Sequence, residues 1–151
     1  MITFKDGDLL ESDCKVICHQ VNCQGVMGSG IAKQIRTLYP KVYEAYKEVC
    51  KTYGGDAMFG CSYFCPIDNG ERYIANMFAQ YNYGYDGKRY TNYAALRSCL
   101  MDVAEKFEGQ TVALPFNLGC GRGGGDWNTV LQIIREELGD CDVTIYKLNR
   151  G

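Results

Sequence analysis

Two glycine-rich segments are the parts of this sequence best suited to chemistry. The first glycine loop runs from residue 22 to 32 as NCQGVMGSGIA, and the second glycine loop from 117 to 127 as NLGCGRGGGDW. Glycine lets a backbone turn with positive φ and approach a ligand closely, while N–H groups at the start of a following helix point toward negative charge. Either segment alone also fits a tight turn without a ligand. Together they predict a site for an extended, phosphate-bearing molecule.

The neighbouring elements would place both loops at one edge of a sheet. Runs rich in β-branched residues, 15–21 and 111–115, precede the loops, and helical periodicity follows them. In open α/β sheets the ligand crevice lies outside the carboxyl ends of the strands, so we expect the loops to hold one ligand from opposite sides. Neither loop has the lysine and hydroxyl of a P-loop or the G-x-G-x-x-G dinucleotide spacing, which disfavours a kinase, a GTPase or a dehydrogenase.

Predicted strands and helices alternate along the remaining chain. Further strands are predicted at residues 61–65, 72–78 and 143–148. Helices are predicted at residues 31–38, 41–52, 91–107 and 130–138. This alternation predicts an α/β layered fold with a largely parallel sheet, and 151 residues suit one domain over residues 1–151. A polar, tyrosine-rich stretch from residue 80 to 90 is typical of a functional loop.

Composition narrows the classes of partner. The 16 basic and 18 acidic residues give a formal charge of -2, which argues against a surface that holds nucleic acid by phosphate neutralisation. No apolar run approaches the roughly 20 residues that span a bilayer, and the N-terminus lacks a signal-peptide pattern, so we expect no membrane partner and a cytoplasmic location. Nine cysteines without a repeated spacing, beside one histidine, support no metal site, and we expect no cofactor.

Several short motifs match one known pattern. They are Gly7-Asp8-Leu9-Leu10 near the start, Val21-Asn22, and Gly28-Ser29-Gly30-Ile31-Ala32. The sequence thereby resembles the macro domain family over almost its whole length, and residues 17–54 are most similar to the branch that contains ADP-ribose 1″-phosphate phosphatases. The resemblance implies a three-layer α/β/α macro domain with a mixed, largely parallel central sheet. It implies ADP-ribose or a derivative as ligand, with an ADP-ribosylated macromolecule as a possible further partner, and we expect a monomer.

The resemblance also assigns binding roles. Asp8 falls where macro domains accept a hydrogen bond from the adenine amino group, unless it is a turn or cap residue. Asn22 falls on the asparagine that contacts the distal ribose, unless it is only a loop residue. The first glycine loop would flank the distal ribose and diphosphate, and the second would offer N–H groups to the phosphates. The predicted ligand-binding residues are Asp8, Leu9, Asn22, Gly28, Ser29, Gly30, Ile31, Gly119, Cys120, Gly121, Arg122, Gly123 and Gly124.

Three side chains are candidates for catalysis. His19 lies where the phosphatase-like branch has a histidine, and it either acts as general acid, general base or nucleophile or is a hydrogen-bonded core residue. Asp126 either orients a water or serves as a base, or it caps the following helix. Lys88 either replaces the lysine of ADP-ribosyl hydrolases or is a solvated loop charge. Those hydrolases have an aspartate near the position of Gly123, a departure that weakens the match to them.

Two further features of the loops leave alternatives open. Arg122 either contacts a terminal phosphate through its guanidinium group or is exposed beside the cleft. Four tyrosines either wall the cleft or pack elsewhere, and we expect one of them to face the ligand. They are Tyr81, Tyr83, Tyr85 and Tyr90.

Three functions are compatible with these residues. The preferred one is hydrolysis of ADP-ribose 1″-phosphate to ADP-ribose and phosphate, with His19 at its centre. The alternative is a hydrolase that removes ADP-ribose from a modified protein or nucleic acid, or that cleaves an O-acetyl ester of ADP-ribose. The third is a reader that binds ADP-ribose without turnover.

Overall fold

A six-stranded sheet forms the middle of the computed structural model, which describes residues 1–28 and 30–148. The strands are β1 (Ile2–Asp6), β2 (Val16–Val21), β3 (Ser62–Ile67), β4 (Arg72–Phe78), β5 (Thr111–Pro115) and β6 (Asp142–Lys147). They lie in the order β1-β6-β5-β2-β4-β3. The β3–β4 pairing is antiparallel and the other four pairings are parallel. The predicted mixed, largely parallel sheet is confirmed.

Helices cover both faces of this sheet. They are α1 (Gly30–Leu38), α2 (Pro40–Tyr53), the single turn α3 (Gly55–Met58), α4 (Tyr93–Lys106) and α5 (Trp127–Glu137). One buried cluster joins α4 and α5 to the sheet, and two others join α1 and α2 to the opposite face. The chain therefore has the three α/β/α layers that were expected.

The central strand β2 shows why the sheet is buried on both faces. Val16 and Cys18 pack toward α4 and α5, whereas Ile17 packs toward α1 and α2, and all three are fully buried. Successive side chains of a strand point to opposite faces, so a strand between two helical layers needs apolar residues at consecutive positions. The apolar run in the sequence is thus explained by the two layers.

The sequence predictions missed one strand and shifted several boundaries. Strand β1 was not predicted, because it lies at the sheet edge, pairs only with β6 and is mostly exposed, so it lacks an apolar pattern. Strand β3 extends through Pro66 to Ile67, which an edge strand tolerates because one side of it needs no hydrogen-bond donor. Helix α2 begins at Pro40, a residue favoured in a first turn whose N–H groups have no partner.

Other expectations concern the surface and the cysteines. No helix within residues 1–28 and 30–148 is long and apolar enough to cross a membrane. The same residues include no group of three or more potential metal ligands. All nine cysteines are free thiols, and six of them are buried in the clusters on either side of the sheet. Most of them therefore serve as small apolar packing residues.

Candidate functional site

A cleft of about 190 Å³ opens at the carboxyl ends of β2 and β5. Its walls come mainly from four segments: the end of β2, the first glycine loop, the second glycine loop, and the tyrosine loop, which we define as residues 81–90. Gln80 and the end of β5 complete the lining. β2 and β5 are parallel neighbours, so the loops that follow them emerge at the same edge of the sheet. The structure thus brings the two glycine loops together at one cleft, and their binding of a single ligand stays a prediction.

His19 lies in the floor of the cleft, on β2, and is 1% exposed. Its Nε2 lies 2.7 Å from Oδ1 of Asn76 on the neighbouring strand β4. The Asn76 amide nitrogen donates to the Tyr63 carbonyl and to the Cys65 thiol, so its oxygen must accept. Nε2 of His19 therefore carries the proton, and Nδ1 is a bare acceptor that has no partner among the described residues.

The protonation state of His19 follows from its burial. Removal from water lowers the pKa of His19 from its ordinary value of 6.5 to about 4, although the hydrogen bond to Asn76 acts in the opposite direction. At neutral pH the imidazole is therefore uncharged and cannot donate a proton as an imidazolium acid. The role open to it is that of an acceptor or a nucleophile through Nδ1. Its catalytic role stays a prediction.

Asn22 shapes the first glycine loop from within. Its Oδ1 accepts from the Gln24 N–H at 2.9 Å and from the Tyr46 hydroxyl at 2.9 Å, and its Nδ2 donates to the Val26 carbonyl at 2.8 Å. These bonds occupy the acceptor and one donor hydrogen. Asn22 is 8% exposed and lines the cleft, so the remaining Nδ2 hydrogen is what it offers to a ligand.

The rest of the first glycine loop leads into the first turn of α1. Gly28, Gly30 and Ile31 line the cleft, and Gly30 has a φ of 59°, a conformation that glycine adopts without strain. Ser29, a predicted ligand-binding residue, lies outside the described residues. The first N–H groups of α1 are thus close to the cleft, where they favour an anion.

The second glycine loop forms the opposite wall. Gly119, Gly121, Arg122 and Gly123, four of the predicted ligand-binding residues, line the cleft. Cys120 points away, with its Sγ 3.3 Å from the Leu118 carbonyl and its side chain against the α4–α5 cluster. Gly124 has a φ of 70° and lies against the backbone of Lys88 and Arg89 instead of in the wall. Cys120 and Gly124 therefore do not line the cleft.

The tyrosine loop supplies aromatic side chains at the cleft mouth. Tyr83 and Tyr85 line the cleft, whereas Tyr81 packs edge-on against Phe59 and the Tyr90 hydroxyl donates to the Asp86 carboxylate. The Arg122 guanidinium lies 4.2 Å from the centre of the Tyr85 ring. This contact joins the second glycine loop to the tyrosine loop and leaves the cation at the cleft.

Besides Cys120 and Gly124, four further predicted residues lie outside the cleft lining. The Lys88 ammonium is exposed, 3.8 Å from Asp86. The Asp126 carboxylate accepts from the N–H and the hydroxyl of Thr129, so Asp126 caps the start of α5. The Asp8 carboxylate accepts from the Leu10 N–H in a one-turn 3-10 helix. Leu9 is buried in the core beside α1 and α2.

Two glutamines line the cleft but were not predicted as site residues. On the face of β2 that packs toward α4 and α5, Gln20 is the polar residue among apolar ones, and Gln80 lies two residues after the end of β4. A polar residue within an otherwise apolar strand was the available signal for Gln20. Gln80 becomes part of the site only through the pairing of β2 with β4.

The charges of the cleft suit an anionic ligand. Among the described residues that line it, Arg122 is the one charged side chain, and none is a carboxylate. A diphosphate there would meet backbone N–H groups, the start of α1 and a guanidinium group, without a nearby like charge.

Comparisons with known proteins agree with this geometry. A family model described as Macro domain matches residues 18–134. A relative from Mycobacterium tuberculosis named DNA ADP-ribosyl glycohydrolase is 34% identical, over 100% of this chain and 43% of that protein. The chain thus spans less than half the length of that relative. A relative from Saccharomyces cerevisiae named ADP-ribose 1″-phosphate phosphatase is 34% identical over 51% of this chain and 45% of that protein.

A solved structure shows the same likeness in three dimensions. The structure described as the macrodomain of Mycobacterium tuberculosis DarG superposes with a TM-score of 0.80 at 32% identity, and the match covers 97% of each chain. The similarity therefore extends over nearly the whole chain.

Proposed function

Because the chain belongs to the macro domain family, we propose that it binds ADP-ribose in the cleft and hydrolyses the bond at the 1″ position of the distal ribose. The observation that carries the hydrolytic part is Nδ1 of His19, a buried acceptor without a partner among the described residues, in a residue that lines the cleft. An attacking water needs such an acceptor, and a neutral imidazole is one at neutral pH.

The sheet order supports the placement of the whole ligand. Because β1, β6, β5 and β2 are parallel, Asp8 at the end of β1 lies at the same sheet edge as the glycine loops. Three strand intervals separate β1 from β2, about 14 Å at the usual spacing. An extended ligand would span that distance, with adenine near Asp8 and the diphosphate between the glycine loops. Oδ1 of Asp8 already accepts from the Leu10 N–H, so Oδ2 would accept a hydrogen bond from the adenine amino group.

The two loops divide the binding of the ligand. The first turn of α1 and the backbone of the second glycine loop would hold the diphosphate, since both offer N–H groups to an anion. The free Nδ2 hydrogen of Asn22 would contact a hydroxyl of the distal ribose. His19 on β2 lies three positions before Asn22, and both residues line the cleft, so the proposal places His19 at the ribose end of the ligand.

In the proposed reaction His19 assists a water molecule. Nδ1 accepts a hydrogen bond from the water, whose oxygen forms the new bond at the 1″ position as the bond to the leaving group breaks. The Asn76 carboxamide holds the imidazole through Nε2, so the lone pair of Nδ1 keeps its direction. The proton of the water passes to the leaving group through solvent, because an imidazolium with a pKa of about 4 does not persist at neutral pH.

Two leaving groups are candidates. A macromolecule that carries ADP-ribose, with nucleic acid as the first choice, is supported by the likeness of the whole chain to the mycobacterial relative named DNA ADP-ribosyl glycohydrolase. A 1″-phosphate is supported by Arg122, a guanidinium at the cleft that suits a terminal phosphate, and by the half-chain likeness to the yeast phosphatase. We place the macromolecule first because the supporting likeness includes both glycine loops.

Turnover of three substrates by the purified protein tests this proposal. The substrates are an ADP-ribosylated single-stranded oligonucleotide, an ADP-ribosylated protein and ADP-ribose 1″-phosphate, with calorimetric binding of ADP-ribose measured in parallel. We expect release of ADP-ribose from the oligonucleotide. Release of phosphate alone would favour the second leaving group, binding without turnover would leave a reader, and no binding at high micromolar concentration would overturn the proposal.

A substitution tests the role of His19 in the same assay. His19→Gln retains a donor for Asn76 but removes the imidazole acceptor, and we expect turnover to fall by about 100-fold or more while the Kd for ADP-ribose changes little. Lys51→Gln, an exposed change on α2 away from the cleft, is the matched control and should retain full turnover. Equal turnover by His19→Gln and the wild-type protein would exclude the imidazole from the reaction.

A further inference from the structure

Gln20 is adjacent to His19 on β2 but points to the opposite face of the sheet, where it reaches two loops. Its Nε2 donates to Oε1 of Gln80 at 2.8 Å and to the Thr91 hydroxyl at 2.7 Å. Both hydrogens of the amide are therefore used. Oε1 of Gln20 is buried and has no partner among the described residues.

The two partners of Gln20 form the base of the tyrosine loop. Gln80 and Thr91 make an isolated antiparallel bridge on either side of residues 81–90. The Gln80 amide also donates to the Asn82 carbonyl at 2.9 Å. One amide on the central strand thus holds both ends of the loop that carries Tyr83 and Tyr85.

Thr91 extends this network to the second glycine loop. It is 2% exposed, and its hydroxyl donates to the Gly119 carbonyl at 2.7 Å. The backbone N–H groups of Tyr90 and Thr91 both donate to the Gly123 carbonyl, at 2.7 and 2.9 Å. Two carbonyls of the second glycine loop therefore have their direction set by residues 90 and 91.

Close contact explains why this loop requires glycine at two positions. A Cβ on Gly123 would overlap the Thr91 hydroxyl and lie 2.6 Å from the Gly119 carbonyl oxygen. A Cβ on Gly119 would lie 2.7 Å from Oε1 of Gln20, and Gly119 also has a φ of 70°. The loop thus rests directly on the side chains of Gln20 and Thr91.

We propose that Gln20 and Thr91 are positioning residues that hold the second glycine loop and the tyrosine loop in the shape that binds the ligand diphosphate. The proposal rests on the proposed function, because it assigns that loop to the diphosphate. A loop held before the ligand arrives loses less conformational entropy on binding. Without the two side chains, the Gly119 carbonyl would lose the Thr91 hydroxyl and keep only the Gly125 N–H, so the second glycine loop would be held less firmly in its binding shape.

Substitutions that change few atoms test the proposal. Thr91→Val replaces the hydroxyl by a methyl group of similar size, Gln20→Met removes both donors, and Thr91→Ser keeps the hydroxyl. We expect Thr91→Val and Gln20→Met each to raise the Kd for ADP-ribose about tenfold or more, and Thr91→Ser to remain within about threefold of the wild-type protein. The double variant should lose little more than either single one, because both act on one network.

The matched control is Thr37→Val, the same exchange at an exposed threonine whose hydroxyl bonds within α1. Amide hydrogen exchange without ligand gives a second measurement, and we expect faster exchange for residues 119–125 in Thr91→Val and Gln20→Met but not in Thr37→Val. An unchanged Kd in both variants, or acceleration spread evenly over the chain, would overturn the positioning role. Failure of the wild-type protein to bind ADP-ribose would instead overturn the proposed function.

Discussion

His19 illustrates how one side chain combines structural and chemical properties. Sequence reasoning left it as either a catalytic group or a hydrogen-bonded core residue. The structure gives it features of both, because Nε2 is bonded to Asn76 within the core, while Nδ1 has no partner in residues 1–28 and 30–148 and the residue lines the cleft. Burial makes the group a neutral acceptor and disfavours the acid role.

The low pKa of His19 predicts how stability depends on pH. The imidazole has a pKa of about 4 when folded and 6.5 ordinarily, so between these values the unfolded chain binds more protons. Stability is therefore full above pH 6.5 and is lost as the pH falls toward 4, with a contribution of about 2 kcal/mol already missing at pH 5. Denaturant unfolding of the wild-type protein and His19→Gln at pH 7 and pH 5 measures this difference.

The comparison of the two proteins isolates the histidine, because carboxylate titration is common to both. We expect the loss of stability from pH 7 to pH 5 to be smaller in His19→Gln. The chain has one histidine, so its NMR titration gives an unambiguous second measurement. An imidazole that titrates near 6.5 would contradict the burial described above.

The two helices that follow the glycine loops differ in what their first turns can bind. Gly30 and Ile31 in the first turn of α1 line the cleft. The first turn of α5 is already occupied, since Asp126 accepts from the N–H and hydroxyl of Thr129. A carboxylate at that position would repel a phosphate, so the second glycine loop must bind an anion through its own backbone.

The helix-cap geometry of Asp126 predicts a measurable effect on stability. Asp126→Ala removes the acceptor for the first turn of α5 and should lower the free energy of unfolding by about 1 kcal/mol. Asp126→Ser keeps a capping oxygen and should lose much less. Denaturant unfolding of the two variants measures this difference. Equal losses of unfolding free energy in both would exclude a capping role for Asp126. Turnover by the Asp126→Ser variant tests the catalytic role of Asp126 separately. A serine hydroxyl keeps the cap but cannot replace a carboxylate base, so a catalytic Asp126 would show as lost turnover.

At the scale of the whole molecule, the strand order creates the site. The two glycine loops are about 90 residues apart in sequence, and they meet because β2 and β5 are neighbours. The sheet can hold them only if both of its faces remain packed. Leu114 on β5 contributes to this as a fully buried residue in the cluster with α4 and α5.

Shortening Leu114 should therefore destabilise the whole domain. Leu114→Ala leaves a cavity and should lower the free energy of unfolding by roughly 3 kcal/mol, which for a protein of this size shifts Tm by roughly 6 to 12 °C. Leu38→Ala is the matched control, because Leu38 is 59% exposed and its change should stay within about 0.5 kcal/mol. Similar Tm values for the two variants would contradict the packing described for β5.

Much of the architecture followed from local patterns in the sequence. Apolar runs at consecutive positions identified β2, β4 and β5, and helical spacing identified α1, α2, α4 and α5, because these elements bury apolar side chains against one another. The glycine loops were recognisable for a similar reason, since the required backbone conformations depend on residue type. Strand β1 lacked such a signal, because an exposed edge strand is held by backbone hydrogen bonds to β6.

Other properties were decided only by the tertiary structure. The acceptor state of His19 depends on Asn76, which is 57 positions away, and on burial between the sheet and the α1–α2 layer. The roles of Gln20 and Thr91 depend on the meeting of β2, the tyrosine loop and the second glycine loop. Sequence by itself determined residue types and local conformation, whereas partners, pKa and access to the cleft arise from contacts between distant segments, which local spacing does not encode.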